Sequence, residues 1–323
     1  MWMREGFRNG LWAGVVLLGL GATPAQAKKS LLKPVFQAGQ IYRFASTTEV
    51  TMRLPTEPGA ETTERRVTME QIARLEVRTG TIEGEVEITA STEALKVHIS
   101  GGGETLAFDS TDKTTPPTPL GAHFAAAEHR RLRLLLGADG KVRRAEEFGD
   151  AAPVSVIAGL PQFGPDELKQ IILSAVAPFS TDAVEEGDRW KLKGRRSLGD
   201  LGEMDFNLSY RFADTAFDEG EKCAVVTFTG GLTGDLAVGG EAPATPEEKT
   251  PPAKGPNLGI TSQKIEGRLH FDLKHRVVRT SEQTVALTVQ TPDSSRPDGK
   301  MPLQVEQKLT LKLLSLEPFE PAS

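Results

Sequence analysis

Residues Arg65 to Thr79 read RRVTMEQIARLEVRT, and their alternation decides the fold class. Val67, Met69, Ala73, Leu75 and Val77 share one parity, while Thr68, Glu70, Arg74, Glu76 and Arg78 share the other. Successive side chains of an extended chain point to opposite faces. The stretch therefore predicts a strand with one dry and one wet face, the pattern of an antiparallel sheet packed on one side only. Two residues break it: Gln71 falls on the apolar face and Ile72 on the polar one.

The same period recurs outward from this stretch. Gly39 to Leu54 reads as the preceding strand, and Pro55 to Glu64 as the polar tip between the two. Val86, Ile88 and Ala90 face inward on the next, followed by Leu95, Val97 and Ile99 and a turn at Gly101-Gly102-Gly103. Leu106 to Asp109 is a short strand. Glu128 to Glu147 is a hairpin, because Asp139 and Gly140 tolerate the left-handed conformations a tight turn requires. In the second half, Met204, Phe206, Leu208, Tyr210 and Phe212 form one dry face, and Cys223 to Phe228 is apolar on both faces. Ile265 to Leu273 and Arg276 to Gln290 form another hairpin, and Leu303 to Leu316 closes the chain.

One segment departs from this period. In Pro165 to Ala177, PDELKQIILSAVA, the apolar residues Leu168, Ile171, Ile172, Ala175 and Val176 recur at the spacing of one helical face. Pro165, Asp166 and Glu167 suit the first turn, and Pro178 ends it. The expected fold is mainly β: large curved antiparallel sheets from two similar halves, packed around this one amphipathic helix. The halves are residues 28–158 and 181–323, joined by a helical connection over 159–180, with a flexible Pro-rich loop at 240–256. Their likeness is local: Gly39-Gln-Ile-Tyr-Arg-Phe44 matches Gly187-Asp-Arg-Trp-Lys-Leu192. Duplication explains this, and so does the alternation that all such strands share.

The N-terminus predicts a secretion route. Arg4 and Arg8 precede an apolar run, Leu11 to Ala22, whose 12 residues are too few to span a bilayer as a helix. Ala25-Gln26-Ala27 is a small-x-small cleavage signal, so residues 1–27 read as a signal peptide and the mature chain as periplasmic or secreted. No transmembrane segment is expected after it. Losing Arg4, Glu5 and Arg8 takes the formal charge from −6 to −7, which argues against a nucleic-acid partner. Cys223 is the single cysteine, so no internal disulfide forms, and its apolar strand marks it as a buried, inert thiol.

A family resemblance rests on motifs in a fixed order: Gly39, Tyr42 and Phe44 in a G-x-x-Tyr-x-Phe opening, Ala107-Phe-Asp-Ser110, Ala138-Asp-Gly-Lys-Val142, Gly187-Asp-Arg-Trp190, and Gly267-Arg-Leu-His-Phe-Asp272. Over most of residues 39–290 the chain resembles an uncharacterised family of secreted bacterial β-rich proteins that carries only a domain-of-unknown-function label. The resemblance implies secretion and a β architecture and brings no catalytic residues with it. A curved sheet around a helix is also similar to periplasmic lipoprotein carriers, an analogy of fold that leaves function open.

No constellation for catalysis emerges. His98, His123, His129, His270 and His275 are scattered, with no HExxH or HxH spacing, so neither a metal nor a cofactor is expected. Glu85 and Glu87 share a strand face, where solvated carboxylates are the ordinary finding. The one pattern above background is basic. Arg189, Lys191, Lys193 and Arg195 alternate along one strand, and Arg131 and Arg133, with Lys141 and Arg143 on the returning arm of the hairpin, can form a second cluster. Pairing with Glu83, Glu85, Glu87, Glu203 or Asp205 would neutralise them; otherwise they form an electropositive patch for anionic lipid headgroups or surface glycans. The expected function is non-enzymatic: binding of an apolar or amphipathic ligand, such as a lipid, or of an envelope protein, on the sheet–helix face. A structural module of a cell-surface complex and a hydrolase with an unfamiliar site are the alternatives.

Overall fold

The alternation at Arg65–Thr79 is realised in the computed structural model as β2 (Thr62–Thr79), with Val67, Met69, Gln71, Ala73, Leu75 and Val77 all buried. The structure describes residues 29–319 except 56–61, most of 113–130 and of 149–181, Asp139, 198–202, 234–235, 238–256 and 293–299. The expected signal peptide and the loop at 240–256 lie outside the described residues.

β1 (Gln40–Pro55) and β3 (Val86–Gly101) flank β2, and both pair with it antiparallel. The two breaks in the pattern of β2 lie beside an irregularity in β3. Ile72 lies opposite Ala94 and Ala73 opposite Thr92, so Glu93 is an extra residue in β3. Such a bulge reverses parity. Ile88 and Ala90 point inward before it, and Leu95, Val97 and Ile99 after it. Gln71 bridges the fault, its Nε2 donating to Thr92 Oγ1 at 2.7 Å. The displaced Glu93 takes up Arg43 at 3.0 Å and Arg74 at 3.6 Å on the wet face.

The remaining strands are β4 (Glu104–Asp109), β5 (Arg131–Leu136), β6 (Val142–Phe148), β7 (Arg189–Ser197), β8 (Glu203–Asp218), β9 (Glu221–Thr233), β10 (Leu236–Ala237), β11 (Asn257–Asp272), β12 (Val277–Pro292) and β13 (Lys300–Pro318). All thirteen belong to one sheet, ordered β6-β5-β3-β2-β1-β13-β12-β11-β9-β8-β7, with β4 beside β3 and β10 beside β11. The first and last strands meet at its middle, Gln40 opposite Pro318 through to Arg53 opposite Gln304. Residues 149–188 therefore carry the chain from one outer strand of the sheet, β6, to the other, β7. The matched openings of β1 and β7 are alike in detail: Gly39 and Gly187 both adopt positive φ, and their N–H groups donate to Val77 O and Phe212 O of the adjacent strands.

Three buried clusters lie on the inner face. The first joins Tyr42, Phe44, Leu75, Ile88 and Leu134 with Leu311 and Leu313 of β13. The second lies on β8, β9, β11 and β12, around Tyr210, Val226, Phe228, Leu269 and Phe271. The third holds Val67, Met69, Val97 and Phe124. Of the expected helix at 165–177, Leu168, Ile171, Ile172, Ser174 and Ala175 are described and helical, but no continuous helix is among the described elements. Leu168, Ile171, Ile172 and Ala175 are buried in the first cluster. No described helix is long and apolar enough to cross a membrane.

Ile172 is fully buried. Ile172→Asp forfeits about 1.5–3 kcal/mol of apolar burial and leaves a carboxylate without a partner. The expected outcome is loss of the cooperative melt followed by circular dichroism; a wild-type melt would show that this residue does not hold the sheet.

Candidate functional site

The two basic clusters expected from the sequence fall on opposite wings of the sheet, with eight strands between β5 and β7. The first is compensated in part. Arg133 pairs with Glu87 at 3.6 Å and lies over the Phe148 ring at 4.8 Å. Lys141 and Arg143 are engaged in further polar contacts, and Arg131 is exposed opposite Phe148.

The second wing differs. Arg189, Lys191 and Lys193 are exposed on β7, and Arg195 lies opposite Asp205 with its side chain outside the described residues. Register extends this edge into a surface. Lys191 stands beside Ser209, Ser209 beside Thr229, Thr229 beside Glu266, Glu266 beside Thr284, and Thr284 beside Lys308. That row crosses six strands, about 24 Å at roughly 4.8 Å per strand. A second row, two residues away and on the same face, runs from Arg189 through Arg211, Thr227 and Arg268 to Glu282. Together the rows line a groove of about 750 Å3.

Short hydroxylated and long charged side chains are interspersed along the two rows, with Trp190, Tyr210, Phe228 and Gly267 between them. Five cations, Arg189, Lys191, Arg211, Arg268 and Lys308, face two carboxylates, Glu266 and Glu282. Glu266 is already paired with Lys264 at 2.7 Å. Among the described residues none of the five cations forms an ion pair. Arg189 and Arg211 stand directly opposite each other, an arrangement that is destabilising without an anion between them. The groove is thus net positive on a chain whose overall charge is −6.

The floor is held from beneath by aromatic residues of opposite parity. Trp190 stacks on Tyr210 with centroids 5.7 Å apart, and Tyr210 lies 5.4 Å from Phe228. The Phe228 ring then covers Gly267, where an added Cβ would stand 2.3 Å from the ring and 2.4 Å from Glu282 O. Gly267→Ala should cost about 1–3 kcal/mol through this overlap, read as a lower urea midpoint at unchanged slope; an unaltered midpoint would refute the packing.

A polar knot closes the turn end of the same wing. Asp272 is fully buried, and its Oδ1 accepts from the N–H groups of Lys274 and His275, both at 2.8 Å. Its Oδ2 meets His275 Nδ1 at 2.9 Å and Arg279 at 3.3 Å. His270 Nδ1 contacts Asp218 at 3.0 Å, and Glu219 binds both Arg279 and Lys312. The ligand atoms of Glu221, Asp272 and His275 lie within 4.8 Å of one another, as a metal would require. Arg279 and Lys274 already occupy Asp272 and Glu221, however, so the knot reads as a structural tie between two hairpin turns. Cys223 lies against it, its thiol pushed up to about 11 by burial and by the charges of Asp272 and Asp218. It is the inert residue the sequence implied.

Burial pushes the Asp272 carboxyl up, but hydrogen bonds from His275 and Lys274 outweigh it and hold the group below the usual carboxylate range. A depressed folded-state pKa gives stability that is present above the unfolded pKa and lost as pH falls through the folded one. Asp272→Asn should cost about 1–3 kcal/mol at neutral pH. In urea titrations its gap from the wild type should narrow as the pH falls below about 4; a gap independent of pH would contradict the ionised knot.

Sequence reasoning found the β7 end of the groove and missed Arg211, Arg268 and Lys308. Each lies at an outward position of an alternating strand, which was visible; that those positions are neighbours follows only from the register.

No family model and no curated protein matches this chain. Among solved structures, a lipovitellin structure concerned with lipid–protein interactions aligns at 13% identity and a TM-score of 0.48, over 90% of this chain and 26% of that one. The chain thus spans about a quarter of the lipovitellin chain it matches. An outer membrane channel from Pseudomonas putida F1 aligns at 8% identity and a TM-score of 0.24, over 87% of this chain and 97% of the channel. A DUF1329 family protein from Desulfovibrio piger aligns at 9% identity and a TM-score of 0.10, over 87% of each chain. At these scores the likenesses establish no function.

Proposed function

We propose that this protein is a non-enzymatic binding protein of the bacterial envelope or its exterior, and that it holds an anionic ligand in the groove across β7 to β13. The observation that carries this reading is the group of five groove cations without ion-pair partners among the described residues. On the opposite wing, by contrast, Arg133 is paired with Glu87. An uncompensated cluster raises the local concentration of anions and speeds their association.

Dextran sulfate is a suitable probe, because an acidic chain has no general affinity for it. Wild-type protein should bind it with an affinity that falls as salt rises, and Lys191→Glu combined with Arg211→Glu should weaken binding by about tenfold or more. Fluorescence anisotropy with labelled dextran sulfate measures both. Equal binding by the wild type and the double variant would overturn the reading.

A second reading has its own observation. On the inner face Leu303, Val305 and Leu309 of β13 and Val50 and Met52 of β1 are only half-buried, whereas Leu311, Leu313 and Phe44 further along the same strands are buried. Val305 borders the second cluster and Val50 the third. This strip suits the apolar part of an amphipathic ligand. Mass spectrometry of organic extracts from natively purified protein tests it: a stoichiometric lipid supports an inner-face ligand, and lipid-free protein removes it.

A further inference from the structure

We infer that the occupant of the groove is an extended, hydroxyl-rich acidic glycan, lying across the strands from β7 to β13; the inference rests on the anionic-ligand reading above and narrows it. Three features of the groove select this class. The first is its shape. It follows rows of register neighbours and so runs at right angles to the strands. A peptide that extends a sheet lies along a strand edge, whereas this groove crosses the strands. A long, narrow ligand fits a row about 24 Å in length.

The second feature is the order of charges along it. Arg189, Lys191 and Arg211 stand at the β7 and β8 end, Arg268 midway on β11 opposite Glu282, and Lys308 at the other end. Between them lie Ser209, Thr229 and Thr284, which both donate and accept, and Glu266 and Glu282, which when ionised only accept. A polyphosphate has no donors to offer the two glutamates. A chain of uronate-type sugars carries carboxylates for the arginines, which suit that planar anion. Its hydroxyls can donate to the glutamates and pair with the threonines.

The third feature is the lack of an apolar border. Among the described residues the exposed large apolar side chains are Leu31, Ile82, Leu106, Phe217 and Leu314, and none of them lines the groove. A surface that docks on a bilayer commonly adds apolar side chains that enter it. Anionic headgroups share the charge sought here, so phosphatidylglycerol vesicles are among the probes of the test.

The test uses the whole protein and four probes: an oligogalacturonate ladder, inorganic polyphosphate, a poly-glutamate peptide and phosphatidylglycerol vesicles. Titration calorimetry compares the wild type with Glu266→Gln/Glu282→Gln, after thermal melts show that the variant is folded. For an acidic glycan, affinity should rise with oligomer length and level off once the chain reaches from Lys191 to Lys308. The double variant should then bind about tenfold more weakly, because its amides replace acceptors with partial donors. For a ligand read by charge alone the sign reverses, since removing two carboxylates tightens binding. Tighter oligogalacturonate binding by the variant, or preference for any of the other three probes, overturns the glycan and leaves the anionic groove standing. Failure of all four probes to bind the wild type overturns both.

Discussion

The pairing of β1 with β13 is the constraint on which the rest of the structure depends. Every other adjacency along the main path joins strands that are close in sequence, from β1 out to β6 and from β13 back to β7. Only this seam unites strands from the two ends of the chain, over fourteen register partners. Without it the sheet would be two wings with raw inner edges, and an unpaired row of backbone groups costs heavily when buried. The first buried cluster shows the dependence directly. Phe44 and Leu75 come from one wing and Leu311, Leu313 and Val277 from the other. Its apolar surface leaves water only when the ends have met.

The seam also sets the extent of the candidate site. The groove ends at Lys308, whose other neighbour across the seam is Glu49 of β1. Its opposite wall lies at β7, the last strand of the wing. Beneath it, the Trp190–Tyr210–Phe228 ladder and Gly267 keep the floor at a constant height, while the Asp272 knot fixes the turns of two hairpins relative to each other. The backbone of strands held this way needs little reordering when a ligand arrives.

Much of this was legible in the sequence, for a definite reason. A period of two is strong where one face is dry, so nearly every long strand was found, including the hairpin at Ala138–Gly140 and the central run at Cys223. The polar Gln71 on a dry face was also visible. Its meaning was not, because it depends on Glu93, a residue of a different strand whose insertion changes parity. Leu303, Val305 and Leu309 share the parity of Leu311 and Leu313, yet only the latter two are buried, since burial depends on what lies above a strand and not on its period. The same limit explains the site. Arg189 and Lys191 could be recognised because they lie on one strand, whereas Arg268 and Lys308 reach them only through register. The two basic clusters looked alike in sequence; the structure sets Glu87 beside Arg133 in one, and among the described residues gives Arg189 and Lys191 no ion pair in the other.

β7 has a further consequence. It ends the sheet order, and an end strand presents backbone groups that could template a second chain. Arg189, Lys191 and Lys193 project from this strand at every second position, so two copies approaching edge to edge would bring like charges together. Charge of either sign would serve that purpose, whereas recognition of an anion requires the positive one. Colloidal behaviour and ligand affinity therefore respond differently to substitution here. A neutral side chain weakens both, and an acidic one keeps the protein dispersed while abolishing its attraction for anions.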